Sequence, residues 1–489
     1  MEMNITMSQD SSDSSGVDPN SSLLEVHSVD FVPHSERHGS ARSLFTLWFG
    51  ANAMGVTLLT GSLAILTNLS LTWSVVAIAI GTLLGSVFVA YHSAQGPVLG
   101  LPQMIQSRAQ FGMFGANVPL LVVVLMYLGY YGGGAVLAGQ AVGELFGVSD
   151  KIGIVAISAV SVVLVAFGYN LLHKVAKIIT PLFIVTFAIL TVSLAAHWSG
   201  GGGREVAPSG FSSTGFFLIL GIVAAYHITY GPYVADYSRY LPASTSHRAT
   251  FWYSYAGISL AGIWLMALGA AVQFAYTKLD FVPALAAAGD ATGAWFRVLV
   301  LVVFIVGLVN IGALNIYGAA MSSLTIVTSY LREWTPTLAL RLSFMLGLGA
   351  IGTLGASLVS GDFITAYENF IFFLITFLVP WSAINLVDFY VVRQGQYSIN
   401  ALFQPDGEYG RYSKQGLSAY LIGCLALVPF ISTDFYTGPI AARLGFDLSW
   451  LVGLVIPGLL YAVICRATGL RASVGLSADA PAADALGKN

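Results

Sequence analysis

Apolar residues dominate the chain from about residue 44 to residue 467, in runs of about 20 or more separated by short polar stretches. Twelve such runs are legible, at 44–69, 73–94, 115–147, 151–170, 176–198, 212–240, 251–277, 296–331, 338–359, 363–391, 416–433 and 448–467. About 20 helical residues cross a hydrocarbon layer of about 30 Å, so the pattern predicts an all-α integral membrane protein with twelve transmembrane helices. The third and eighth runs, at roughly 30 residues or more, are expected to tilt or to project beyond the lipid.

Two of these runs are interrupted in corresponding places. The first contains LWFGANAMGVT, Leu47 to Thr57, with Gly50, Asn52 and Gly55 inside an apolar stretch. The sixth contains YHITYGPYVADYSRYLP, Tyr226 to Pro242, broken at Gly231-Pro232. Proline lacks the backbone donor and clashes with the preceding turn. In a membrane such a break is tolerated only where it is buried in protein or lines a cavity. The sixth run lies five after the first and enters from the opposite side. That is the pattern of a 5+5 inverted repeat, with a ligand site where the broken helices meet. The competing account of the first run is close helix packing through its glycines.

Counting inward at about 1.5 Å per residue puts several polar and aromatic residues at one depth. Val56 and Thr57, Tyr130 and Tyr131, His227 to Tyr230, and Leu314 and Asn315 mark the middles of the first, third, sixth and eighth runs. Hydrocarbon penalises unpaired polar groups, so these residues are expected to face a cavity. Tyrosine stacks on a flat ring and also hydrogen-bonds, and an amide offers both donors and acceptors. No Lys or Arg lies at this depth, which argues against phosphate or carboxylate ligands. The set Thr57, Tyr130, Thr229, Tyr230, Asn310 and Asn315 therefore points to a small neutral heteroaromatic substrate. Core packing and helix-to-helix bonding are the alternatives for each residue taken singly.

The titratable groups near this level are few. His227 has the ordinary range for a proton relay, although a neutral structural histidine fits as well. Asp236 stands three residues before Arg239, the spacing of an intrahelical pair, and reads as a structural or gating group with proton coupling as the alternative. Glu144 and Glu368 fall near the outer side. The stretch from Glu368 to Phe373, with Phe370, Phe372 and Phe373, is a candidate outer lid.

Composition agrees with this picture. The chain has 489 residues, of which 56% are hydrophobic and 9% charged, against roughly 25% charged in soluble domains. A net charge of −3 gives no reason to expect a nucleic-acid partner. With the N-terminus inside, 15 of the 20 Lys and Arg fall on the inner side and five on the outer. This asymmetry predicts cytoplasmic termini in the inner (plasma) membrane. Residues 1–35 and 469–489 are polar and of low complexity and read as disordered cytoplasmic tails without a cleaved signal. Between them lie a transport core, 36–400, and two additional helices, 401–468. Cys424 and Cys465 sit in apolar runs and give neither a disulfide framework nor metal spacing.

Four stretches in order carry a family resemblance: ERHGSARSLFTLWFGAN (Glu36–Asn52), QGPVLGLPQMIQSRAQFG (Gln95–Gly112), PYVADYSRYLP (Pro232–Pro242) and INLVDFYVVRQGQY (Ile384–Tyr397). Together they resemble the nucleobase:cation symporter-1 family, of the bacterial purine–cytosine permease type, from about residue 35 to 400. The resemblance implies the LeuT-type fold, ten core helices plus two. It implies a flat base or hydantoin-like ring between helices one, three, six and eight, sandwiched by Tyr130 and Tyr230, with Asn315 of NIYG on the ring. Gly134 stands where relatives carry a polar ring contact. Sodium-coupled relatives use helix-one carbonyls and hydroxyls on helix eight. Here Val306 to Leu314 contains no Ser or Thr, which favours a proton as coupling ion over sodium; Ala53 and Val56 supply the carbonyls if sodium is used.

The expected function is import of a nucleobase or related neutral heterocycle by a cation symporter working through alternating access, as a monomer and without a cofactor. A sodium-coupled hydantoin or allantoin carrier and a transporter-like receptor are the alternatives. An enzyme is not expected, because the one histidine at mid-depth has no carboxylate beside it.

Overall fold

The computed structural model describes residues 31–167, 169–197, 210–331, 336–433 and 435–470. Residues 1–30 and 471–489, most of the two expected tails, lie outside the described residues. Residues 31–35 are not tail-like. Val32 is fully buried, its N–H donates to the Gly100 carbonyl at 3.0 Å, and Arg37 Nε donates to the Val32 carbonyl at 3.0 Å. The packed chain thus begins before the predicted boundary.

The described residues are helical and form no strand. In chain order the helices are α1 (Arg42–Asn52), α2 (Gly55–Ser62), α3 (Leu71–Leu99), the short α4 (Gln103–Gln106) and α5 (Arg108–Phe111), and α6 (Asn117–Phe146). Then come α7 (Asp150–Ala166), α8 (Tyr169–Ala196), α9 (Ser213–Ile228), α10 (Gly231–Ser238), α11 (His247–Ala275) and α12 (Phe281–Asp290). The remainder are α13 (Ala294–Tyr330), α14 (Leu338–Val359), α15 (Phe363–Val387), α16 (Lys414–Leu427), α17 (Pro439–Leu444) and α18 (Ser449–Ala467). Among the described residues eight helical stretches are long and apolar enough to cross a membrane, or nine with the bent pair α1–α2.

That number differs from twelve for identifiable reasons. α7 has 17 residues, and the apolar Lys414–Phe430 helix is also short. α14 and α15 follow one another through a three-residue turn, so Leu338–Val392 counts as one stretch of 55 residues. α13 is the longest single helix, 37 residues, or about 56 Å at 1.5 Å per residue.

α13 lies along α6, and α3 lies along α9 and α11, with α1 and α2 packed on α11. Large apolar side chains remain exposed on the outer faces, among them Leu121, Ile178, Val192, Leu358 and Leu425. So broad an apolar exterior suits lipid as the surrounding solvent. This is a multi-pass membrane protein.

Two of the four sequence stretches singled out above, Gln95–Gly112 and Ile384–Tyr397, join with Tyr461 in one polar anchor at the end of the bundle where α6 begins. Gln95 Nε2 donates to Asn385 Oδ1 at 3.0 Å, and Gln110 Nε2 to Asp388 Oδ2 at 2.6 Å. Asp388 also accepts from the hydroxyls of Tyr397 at 2.7 Å and Tyr461 at 2.8 Å, with Arg393 Nε 3.3 Å away. Buried polar groups need partners, and here Gln95 and Gln110 find theirs 290 and 278 residues away in the chain.

Candidate substrate site

The first interruption is a true bend. After Asn52, Ala53 (φ −76°, ψ 71°) and Met54 (φ −147°, ψ 161°) leave the helical region, and α2 resumes at 62° to α1. Gly55 lets this bend approach α13: a Cβ there would lie 2.5 Å from Phe304 Cε2. The second interruption is milder than expected. Thr229 and Tyr230 keep helical backbone angles, Pro232 falls in the first turn of α10, and Ser213–Ser238 runs on as a single span. A proline in a first helical turn removes a donor that has no intrahelical partner anyway, so the axis need not turn sharply.

The two interruptions touch. Thr57 Oγ1 donates at 2.8 Å to the Asn52 carbonyl, which at the end of α1 also accepts from the Met54 N–H at 2.9 Å, and lies 2.9 Å from the Tyr226 hydroxyl. The Tyr226 and Tyr230 hydroxyls are 3.2 Å apart. From α6, the Tyr130 hydroxyl meets Thr229 Oγ1 at 2.8 Å. Thr57, Tyr130, Thr229 and Tyr230 are therefore brought together as the depth count anticipated.

Aromatic rings complete this cluster. Tyr130 meets Phe370 of α15 edge-on at 5.1 Å and Tyr226 at 6.1 Å. On the other side Tyr230 contacts Trp48 at 6.2 Å and Tyr233 at 5.6 Å, and Tyr233 contacts Tyr127 at 5.9 Å. These residues are uncharged, so the cluster suits a neutral flat ligand rather than an ion. Trp48, Tyr127 and Tyr233 escaped the sequence reading. Their signal was spacing: Tyr127 and Tyr130, like Tyr230 and Tyr233, stand three apart and share a helix face.

The amides separate. Asn315 is half-buried. It lies two turns from Leu308, whose side chain faces Gly55, so it shares that face of α13. Asn310 is five residues before Asn315, which turns it about 140° away. It therefore points away from the cluster, 5% exposed, with its Oδ1 lacking a protein partner. Asn310 and Asn315 thus lie on different faces of α13.

Of the two readings of His227, the geometry suits the structural one. It is fully buried, and its Nδ1 donates to the Val223 carbonyl at 2.8 Å. Its Nε2 lies against α11, where a Cβ on Gly262 would be 2.5 Å away, beside Thr82 of α3. The ring faces the α3–α11 side, not the space between α6 and α13. Asp236 Oδ1 accepts from the Gln103 N–H at 2.7 Å, while Arg239 Nε donates to the Asp236 main-chain carbonyl at 3.1 Å. Asp236 thus ties α10 to the α4 turn.

At the candidate lid, Phe370 covers the cluster, and Glu368 is half-buried. Phe373 instead packs with Phe377 at 5.1 Å, in the apolar cluster shared with α16 and α18. Tyr367, which the sequence reading passed over, meets Thr60 Oγ1 at 2.9 Å, closing α15 onto α2. The carbonyl of Val56 accepts from Thr60 Oγ1 at 2.9 Å, and Ala53 is buried at the bend.

A family model described as "Permease for cytosine/purines, uracil, thiamine, allantoin" matches residues 31–453. The chain is 39% identical over 452 residues to a Bacillus subtilis (strain 168) protein named "Putative purine-cytosine permease YxlA", covering 91% of this chain and 96% of that one. It is 25% identical over 467 residues to the purine-cytosine permease fcyB of Emericella nidulans, covering 90% of this chain and 87% of the relative. Among solved structures it is similar to Mhp1, a nucleobase-cation-symport-1 family transporter in a closed conformation with bromovinylhydantoin bound. The TM-score is 0.71 at 18% identity, with 92% of this chain and 96% of that chain covered. At that identity the likeness shows the fold.

Proposed function

This chain belongs to the family of permeases for cytosine/purines, uracil, thiamine and allantoin, transporters rather than enzymes, and on that premise we propose that it imports a nucleobase or related neutral heterocycle by cation symport. The observation that carries the reading is the contact of the two interrupted spans. Thr57, Tyr226 and Tyr230 join them through uncharged hydroxyls, and Tyr130 and Thr229 extend the join to α6. The ring binds between Tyr130 and Tyr230, with the Asn315 amide on its edge.

The chain works by alternating access, as a monomer in the cytoplasmic membrane, with both termini inside. Its twelve spans form a 5+5 inverted repeat plus two helices. α15 is the outer gate: Tyr367 on Thr60 and Phe370 on Tyr130 cover the site from one side. The opposite side is lined by Tyr127, Tyr233 and Asp236, all half-buried, and is the release path. The coupling ion is a proton. Sodium needs several oxygen ligands, and the Val56 carbonyl is already shared with Thr60 while Val306 to Leu314 carries no Ser or Thr hydroxyl. Asp236 is the candidate titrating group on the release path.

The test is uptake of labelled cytosine, adenine, guanine, hypoxanthine, uracil and allantoin in a transport-null host, at several pH values, with and without sodium. Saturable accumulation of at least one base, faster at acid pH and indifferent to sodium, is expected. Sodium-dependent uptake would overturn the proton assignment, and no accumulation of any base would overturn the transport reading.

A further inference from the structure

A hydroxyl has one proton to give and a carbonyl can only accept. These two facts orient the hydrogen bonds around the site. Thr57 spends its proton on the Asn52 carbonyl at 2.8 Å. The Tyr226 hydroxyl, 2.9 Å from Thr57 Oγ1, is therefore the donor in that pair. With its proton committed, Tyr226 accepts from Tyr230 at 3.2 Å. A second branch behaves alike. Thr229 Oγ1 donates to the Tyr226 main-chain carbonyl at 2.7 Å, so Tyr130 is the donor to Thr229 at 2.8 Å.

Both tyrosines that flank the proposed ring thus have their protons turned away, into the protein. We infer that Tyr130 and Tyr230 present their oxygens to the ligand as acceptors only, so the site selects planar rings that offer N–H donors there, and that Tyr226 is the positioning residue that sets this polarity. The inference rests on the transport reading above and adds the class of ring edge that is recognised. Each branch ends on a main-chain carbonyl, which has no proton to pass on. The chain of hydroxyls therefore fixes direction and does not conduct protons.

Polarity of this kind carries specificity. A ring lacking the matching N–H leaves a buried oxygen unpaired, and that loss corresponds to about tenfold or more in affinity. A Tyr226→Phe side chain keeps the ring but removes the acceptor for Tyr230. The Tyr230 proton is then free to turn toward the ligand, and the distinction between donor and acceptor edges weakens.

The experiment takes whichever labelled base the parent chain accumulates. It competes that base with a series of analogues, each with one N–H replaced by C–H or N–CH3. At least one analogue is expected to compete about tenfold more weakly than the base itself. In Tyr226→Phe the ratio between base and that analogue should fall at least threefold. A merely structural defect would weaken both competitors alike and leave the ratio intact. Tyr230→Phe, which removes the oxygen altogether, should also collapse the ratio and serves where Tyr226→Phe does not reach the membrane. The inference is overturned if no analogue is weakened more than about twofold, or if the ratio is unchanged in both variants. A parent chain that accumulates none of the bases fails the transport reading instead. The same series, run as equilibrium binding of labelled cytosine, adenine and hypoxanthine to the purified parent chain, then decides the polarity separately: a flat response overturns it.

Discussion

The Thr57 and Tyr226 hydroxyls, 2.9 Å apart, join the two interrupted spans across 169 residues of sequence. Thr57 also covers the Asn52 carbonyl at the bend, so one side chain serves both the kink and the contact. Thr57→Val preserves shape and removes both bonds. Each partner keeps one other bond, the Asn52 carbonyl to the Met54 N–H at 2.9 Å and the Tyr226 hydroxyl to Tyr230 at 3.2 Å, so the loss is that of two net hydrogen bonds, about 0.5–1.5 kcal/mol each. We expect a lower melting temperature for the purified variant and a clear loss of maximal uptake. A variant as stable and active as the parent would mean that the contact is incidental.

Phe370 closes over α6 at a glycine. A Cβ on Gly129 would lie 2.1 Å from Phe370 Cε2, so Gly129→Ala should hold the aromatic lid away from Tyr130. Its readout is an introduced cysteine at Thr60, beneath Tyr367, probed with a membrane-impermeant thiol reagent. Labelling from outside should rise several-fold in Gly129→Ala relative to the same cysteine in the parent. Equal labelling would remove Phe370 from the gate.

Asn315 shares the face of α13 that meets the bend, while Asn310 does not. Asn315→Ala should therefore weaken apparent affinity for the transported base about tenfold, the cost of about one lost hydrogen bond, with surface amount retained. Asn310→Ala should leave apparent affinity near that of the parent. The reverse order of effects would contradict the assigned faces.

Asp388 and Arg393 are both buried, at 0% and 4% exposed. Removing one partner of a buried pair costs about 3–5 kcal/mol when the other charge is left uncompensated; here Arg393 Nη1 retains Glu408 Oε1 at 3.4 Å, which offsets part of that cost. Asp388→Asn should sharply reduce folded yield, read by size-exclusion of a fluorescent fusion. Adding Arg393→Gln should restore part of that yield. The Arg393 guanidinium also lies over the Tyr397 and Tyr409 rings, 5.8 and 4.7 Å from their centroids, and a double variant worse than Asp388→Asn alone would argue that Arg393 acts through them rather than through the carboxylate.

The extents of most spans were legible because each is apolar over its length. Depth was legible too, since counting from helix ends places Thr57, Tyr130, Thr229 and Tyr230 at one level, and they meet. Facing was not. A helix apolar on every side carries no sign of which side is inward, so Asn310 was placed with the site and His227 was left open between a relay and a structural role by level alone. The structure turns Asn310 away by its five-residue offset and aims His227 at Gly262. The sixth span was read as a sharp break from Pro232, but a proline in a first turn bends little. The stretches that carry the family resemblance were read as signatures. Their glutamines pair with Asn385 and Asp388 some 280–290 positions away, a partnership that no local pattern encodes.

The measurement that bears most directly on the account is counterflow in proteoliposomes. Vesicles loaded with an unlabelled base are diluted into a trace of the same labelled base, chosen from the panel. A carrier with one alternating site should give a transient overshoot of internal label above its external concentration, abolished in Tyr230→Ala. A simple rise to equilibrium, or uptake capped at the amount of protein present, would contradict it.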